Sequence, residues 1–277
     1  MNKIIWLVNP ATFKEEDISF PAYIAAIGNN KVTAVVLNEW QYGMVPVLTN
    51  DPVFPTTNYT IPEIAVDESA FQRETESRER IRNAASRAGM ELIFHDAPVD
   101  SDEGLIEESR FSDLVLVSAG LSFHEGADET PSEFVMSLLP KLQCPVLVMP
   151  DDHQEIKEIY FAYNGGYSSM YAIRQMIYLF PEFRRLPVTV IYVEEGKNGI
   201  PFEKSMKDFL YSHFENITIK LLKGEPASAL IDELMPRKNV LVTLGAFGRN
   251  RASRFFRHSN AEGVLQVINI PVFITHP

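Results

Sequence analysis

The chain of 277 residues predicts an α/β fold made of two tandem halves, each a five-stranded, mainly parallel sheet with helices on both faces. Three observations carry this reading. Short apolar runs without alternation recur along the chain, as strands buried on both faces of a parallel sheet require. Segments with helical spacing separate them. The runs also match in pairs between the two halves: DLVLV at 113–117 with VLVTL at 240–244, and PVLVM at 145–149 with PVFIT at 271–275.

In the first half the strands are expected at 3–8, 32–37, 91–95, 113–117 and 145–149. Helices are expected near 17–28, 68–89, 103–110 and 132–142. In the second half, strand 159–163 runs into Asn164-Gly165-Gly166, a turn signal. Ser168, with Ser169 beside it, is read as the cap of a helix carrying Ile173, Met176, Ile177 and Phe180. Strands follow at 188–193 and 217–222. Phe202, Met206, Phe209, Leu210 and His213 mark a helix between them. Pro226 opens the next helix, as proline does at a first helical position, with Leu230, Ile231 and Leu234 on its buried face. Val264, Leu265 and Ile268 stripe the last one.

Ser118 and Gly245 lie 127 positions apart, whereas Asn9 and Asn164 lie 155 apart. The first half is therefore longer by about 28 residues before its fourth strand. The excess falls at 43–66, which has four prolines and no period, and reads as an insertion or long loop. The two domains are expected at 1–150 and 155–277, joined by the polar stretch PDDHQE.

Net charge is −12, so nucleic acid and anionic membrane surfaces are not expected partners. Its distribution is uneven. Residues 1–150 hold ten Lys and Arg against 23 Asp and Glu, a net −13; residues 151–277 hold 15 against 14. No apolar run approaches the ~20 residues of a membrane-spanning helix. The amino-terminal MNKIIWLVNP reads as a first strand and not as a secretory signal. Cys144, the single cysteine, excludes an intrachain disulfide, and the six histidines lack metal-ligand spacing. A cytoplasmic protein is expected.

The chemistry concentrates after strand 240–244. Gly245 and Gly248 stand three apart, and four arginines follow: Arg249, Arg251, Arg254 and Arg257. His258, Ser259 and Asn260 then lead into the last helix. Glycines admit close backbone approach, arginines attract anions, and a helix start offers free N–H groups. Together they form a candidate phosphate cradle beyond the carboxyl ends of the strands, where open α/β sheets bind ligands. The basic loop also reads as a solvated surface loop.

The chain resembles the universal stress protein family, as a tandem two-domain member. The resemblance spans nearly the whole chain. It rests on the strand order, on Cys144-Pro145-Val146-Leu147-Val148 and Ile270-Pro271-Val272-Phe273-Ile274, on Gly224-Glu225-Pro226, and on the glycine motif. Nucleotide-binding members carry Gly, two residues, Gly, nine residues, then Gly-Ser or Gly-Thr. Here the pattern is Gly245, Gly248, nine residues, His258-Ser259, with histidine in place of the third glycine. At the end of the first strand, where those members have a ribose-contacting Asp, this chain has Asn164 followed by Gly165. Their adenine contact is backbone at the end of the second strand, here Val193.

The resemblance implies two adenine-nucleotide α-hydrolase-like, Rossmann-like domains. It also implies ATP or another adenine nucleotide with Mg2+ and a regulatory or sensing role in stress response. At most slow ATP hydrolysis is expected, because no side chain is evident as a general base. The site is expected in the second domain only, on Asn164, Gly165, Val193, Gly245, Gly248, Arg257, His258, Ser259 and Asn260. The aligned first-half positions are Ser118, Leu121 and Pro131-Ser132, and the loop between them carries Glu125, Asp128 and Glu129. That half is read as degenerate. An intramolecular pseudo-dimer is implied, with the two last strands paired antiparallel, alone or as a homodimer. The competing reading is a scaffold that binds no nucleotide and works through an unknown protein partner, with 43–66 as its contact surface.

Overall fold

The computed structural model describes residues 2–28, 30–37, 68–95, 102–122, 130–150, 155–194, 199–245 and 258–275, with backbone alone at 68–71, 73, 74, 102 and 258–262. The insertion at 43–66, the junction at 151–154 and the loop at 246–257 lie outside them.

All ten expected strands form. They are β1 (Lys3–Val8), β2 (Lys31–Val36), β3 (Leu92–Phe94), β4 (Leu114–Ser118), β5 (Val146–Met149), β6 (Glu158–Ala162), β7 (Val188–Glu194), β8 (Ile217–Lys223), β9 (Val240–Gly245) and β10 (Val272–Thr275). They make one ten-stranded sheet in the order β3-β2-β1-β4-β5-β10-β9-β6-β7-β8. The first five strands and the last five thus follow the same order, running outward from a shared centre. Every neighbouring pair is parallel except β5 and β10, which meet antiparallel with Val148 opposite Val272, Leu147 opposite Phe273 and Val146 opposite Ile274. This central pairing covers two apolar strands that would otherwise be open edges.

The helices are α1 (Ser19–Ile27), α2 (Glu68–Arg87), α3 (Asp102–Ser109), α4 (Glu133–Leu138), α5 (Tyr167–Leu179), α6 (Glu203–Tyr211), α7 (Pro226–Leu234) and α8 (His258–Val267). Strand side chains alternate between two cores. Ile4, Trp6 and Val8 of β1 face a core shared with α1, α2, α5 and α6, through residues such as Ile24, Ile81, Met176 and Leu210. Ile5 and Leu7 face the opposite core, shared with α3, α4, α7 and α8, through Leu105, Val135, Leu230 and Val264. Each core runs across both halves. Side chains add to this: Asn2 Nδ2 donates to Leu179 O at 3.1 Å, and Tyr23 Oη accepts from Ile156 N–H at 3.1 Å. Burial raises the Tyr23 pKa, opposed by that hydrogen bond.

Of the expected serine caps and the Pro226 helix start, only the start of α5 differs from the expectation. Ser132 caps α4 by accepting from Val135 N–H at 3.2 Å, but Ser168 and Ser169 cap nothing; they lie inside α5, whose N-cap is Gly166. The motif Gly224-Glu225-Pro226 is a helix-start device. Gly224 has φ +124°, Glu225 accepts from Ser228 N–H at 2.8 Å, and Pro226 is the first helical residue. The hydrogen bond from that backbone N–H holds the Glu225 carboxyl below its ordinary pKa.

Candidate functional site

Of the residues expected to hold a nucleotide, Asn164, Gly165, Val193 and Gly245 lie at the carboxyl ends of β6, β7 and β9, which are adjacent in the sheet. Ligands bind at this edge in open α/β sheets, where the strand order reverses between β6 and β9.

Asn164 follows β6 and builds an Asx turn. Its Oδ1 accepts from Gly166 N–H at 2.8 Å and lies 2.8 Å from Ser169 Oγ. The Ser169 hydroxyl is also 2.9 Å from Gly166 O, so one proton serves two acceptors. The amide oxygen, the atom expected to accept from a ribose hydroxyl, is therefore engaged within the protein. Nδ2 remains as the donor Asn164 can offer a ligand.

Gly165 has φ +77°, and a β-carbon there would lie 2.6 Å from Pro201 Cβ. Tyr163 Oη donates to Pro201 O at 2.9 Å, which seats that residue over the end of β6. A β-carbon at Gly245 would overlap the carbonyl of Ser168 and lie 2.5 Å from Ser169 N. The neighbours are backbone, which cannot rotate away. The close approach that makes Gly245 a glycine is thus that of the first turn of α5.

Val193 is read through the register of β7. Pro187 O accepts from Ile159 N–H, and Ile191 O accepts from Tyr163 N–H, so odd-numbered residues of β7 turn their backbone groups toward β6. Val188 N–H donates to Asn216 O, on the opposite side. By the two-residue period Val193 also faces β6, whose last pairing with β7 is Ala162 with Ile191. Its N–H and C=O therefore point across the strand-end crevice.

Helix α8 begins at His258, so this residue is the first of the helix and does not precede it; Ser259 and Asn260 complete the first turn. Gly248 and Arg257 lie in 246–257, outside the described residues, as do the side chains of 258–260.

The first half differs at the equivalent edge. A cleft of about 340 Å3 opens between the ends of β1, β4 and β5 and the segment leading into α1. Trp6, Phe20 and Met149 supply apolar surface; Ser118 stands at its edge, in the position of Gly245. Asn9, the counterpart of Asn164, accepts from Ala11 N–H at 2.9 Å and donates Nδ2–H to Ser122 O at 2.7 Å. Ser132 donates to Leu121 O while capping α4. This cleft had no signal in the sequence, because the residues that open it are ordinary polar and apolar ones.

Among the described residues no three His, Cys, Asp or Glu side chains come together as metal ligands. No helix there is long and apolar enough to cross a membrane.

No protein-family model matches the chain, and no curated protein matches it. Solved structures do. A universal stress protein from Archaeoglobus fulgidus superposes with a TM-score of 0.64 at 13% identity, over 99% of this chain and 96% of that one. A protein of unknown function from Pseudomonas aeruginosa PAO1 gives 0.60 at 13%, over 100% and 93%. The likeness at this identity is one of fold, and it extends over the full length of a universal stress protein.

Proposed function

We propose that the chain is a tandem universal stress protein that binds one adenine nucleotide at the strand ends of its second half and acts as a regulator or sensor in the cytoplasm. Binding, not turnover, is the proposed activity. The observation that carries this is the convergence at one sheet edge. Val193 turns its backbone N–H and C=O across the crevice beside Asn164, and on the other side β9 leads through the arginine-rich segment to the first turn of α8. A purine edge needs the first of these, and phosphates are served by the second. The fold supports the reading, since it is shared with a universal stress protein along the whole chain. Mg2+ would accompany the phosphates.

Titration of ATP into the purified chain tests it, with Gly248→Val expected to abolish binding by steric conflict. Arg257→Ala is expected to weaken binding, more so at low salt than at high. His258→Gly restores the family pattern. Tighter binding in that variant identifies His258 as an obstruction, and weaker binding identifies it as a phosphate ligand. A chain that binds no ATP at millimolar concentration, with or without His258→Gly, is not a nucleotide protein.

A second reading has its own support. The oxygen of Asn164 is engaged within the turn, and the space before Gly245 is filled by α5. Both fit a scaffold whose ancestral site has closed and which works through protein contacts.

A further inference from the structure

The cleft in the first half is independent of the nucleotide reading. It lies where that half's strand order reverses, between β1 and β4, yet it has lost what phosphate needs. One N–H of the Asn9 amide is given to Ser122 O. The first turn of α4 is capped by the Ser132 hydroxyl and carries Glu133. Leu121 stands where the second half has Gly248. Among the described residues the charges at its rim are Glu16 and Asp17 against Lys14, a net −1. Asp17 is fixed by the Lys14 N–H, which it accepts at 2.8 Å, while the neighbouring Glu15 is paired with Arg87 at 2.8 Å. The surrounding half carries −13. The inner surface is divided about equally between polar and apolar atoms, with Trp6, Phe20 and Met149 supplying an apolar patch, and a volume of about 340 Å3 is at the small end for ligand sites.

We propose that this cleft is a second ligand site, selective for a small organic cation with an apolar body of about one ring. The ring lies against Trp6, Phe20 and Met149, and the ammonium group meets Glu16 and Asp17 at the rim. The carboxylates supply both affinity and the discrimination against anions.

Trp6 is its own reporter. The chain has two tryptophans, so Trp40→Phe leaves Trp6 alone. This variant is titrated with 2-phenylethylamine, 2-phenylethanol and phenyl phosphate, three probes of similar body and different charge. The amine is expected to change Trp6 emission saturably, the alcohol to bind about ten-fold more weakly, and phenyl phosphate not to bind. Glu16→Gln, at an exposed position, is expected to weaken the amine about three- to five-fold and leave ATP affinity unchanged. Amide shifts at Thr12, Glu16 and Ser118 read the same titration if Trp6 emission is insensitive. The proposal is overturned if phenyl phosphate binds as well as the amine or if Glu16→Gln leaves the amine unaffected. It is equally overturned if neither readout moves up to about 10 mM amine. An ATP titration that fails in the second half leaves these outcomes unchanged, so the two proposals fail separately.

Discussion

The two halves share one strand order and pack the first helix differently against the same strand ends. In the second, four residues (163–166) separate β6 from α5, and the first turn of α5 lies on Gly245. In the first, ten residues (9–18) separate β1 from α1, part of them a 3-10 turn at Glu15–Ile18, and β4 ends in Ser118. The short connection brings the backbone of α5 directly against the glycine that ends β9. The long connection with serine leaves a cleft. Topology therefore places the crevice in this architecture, and two local features set how closely the first helix packs on it: the length of the first crossover's entry and the residue that ends the fourth strand.

The largest expected effect follows from that contrast. Gly245→Val forces side-chain carbon into the backbone of Ser168 and should destabilise the chain by about 3 kcal/mol or more, since α5 must move off the sheet. Ser118→Val, at the matching and half-buried position, should cost about 1 kcal/mol or less. Denaturant unfolding of the two variants compares them directly. Equal losses would mean that the two strand ends are packed alike.

The paired asparagines come next. Asn9→Ala removes two hydrogen bonds at a buried turn and should cost about 2 kcal/mol; Asn164→Ala, at a half-buried turn, should cost about 1 kcal/mol. Asn164→Asp should keep the turn, because one carboxylate oxygen still accepts from Gly166 N–H. Its other oxygen is then available to a ribose hydroxyl, so ATP should bind more tightly. Unchanged affinity would remove Asn164 from the site.

The third difference lies beneath. Thr243 and Thr275 are fully buried and their hydroxyls have no hydrogen-bond partner, while the corresponding first-half residues are Leu116 and Met149. Val in place of either threonine keeps the shape and removes an unsatisfied group. Each substitution should stabilise by about 1 kcal/mol in the same unfolding assay. A loss of stability would show that the hydroxyls are satisfied in solution.

The smallest effect belongs to Cys144, whose counterpart is Ile270. Burial, aided by the Asp113 charge, pushes its thiol from 9.0 up to about 12. A raised acid pKa contributes stability that is fully present below the unfolded value, here 9.0, and is lost as pH rises from 9 toward 12. Cys144→Ala should flatten that part of the stability–pH curve. The native thiol should also react with disulfide reagents at pH 8 far more slowly than the unfolded one.

Much of this fold was legible because parallel strands announce themselves. Runs such as Val146–Met149 are apolar at every position, and the ten expected strands form. The antiparallel β5–β10 junction was implied by the family resemblance, and it covers two apolar edges. What the candidate site's glycines pack against was not legible. A glycine in sequence signals that something approaches closely, but not what: at Gly245 it is α5, and at Gly165 it is Pro201. Ser168 and Ser169 look like caps because serine commonly caps, yet the turn is made two residues earlier by Asn164 and Gly166. The first-half cleft left no trace, because it is created by the length of a connection and by no motif.

The central claim is that the halves differ in what they bind at equivalent edges. Calorimetric titration of ATP into the wild-type chain and into Leu121→Gly tests it most directly. The account predicts one site per chain in both, with the same affinity, because opening the first half's glycine position does not restore a phosphate cradle. Two sites in either protein, or a single site that Gly248→Val leaves intact, would contradict it.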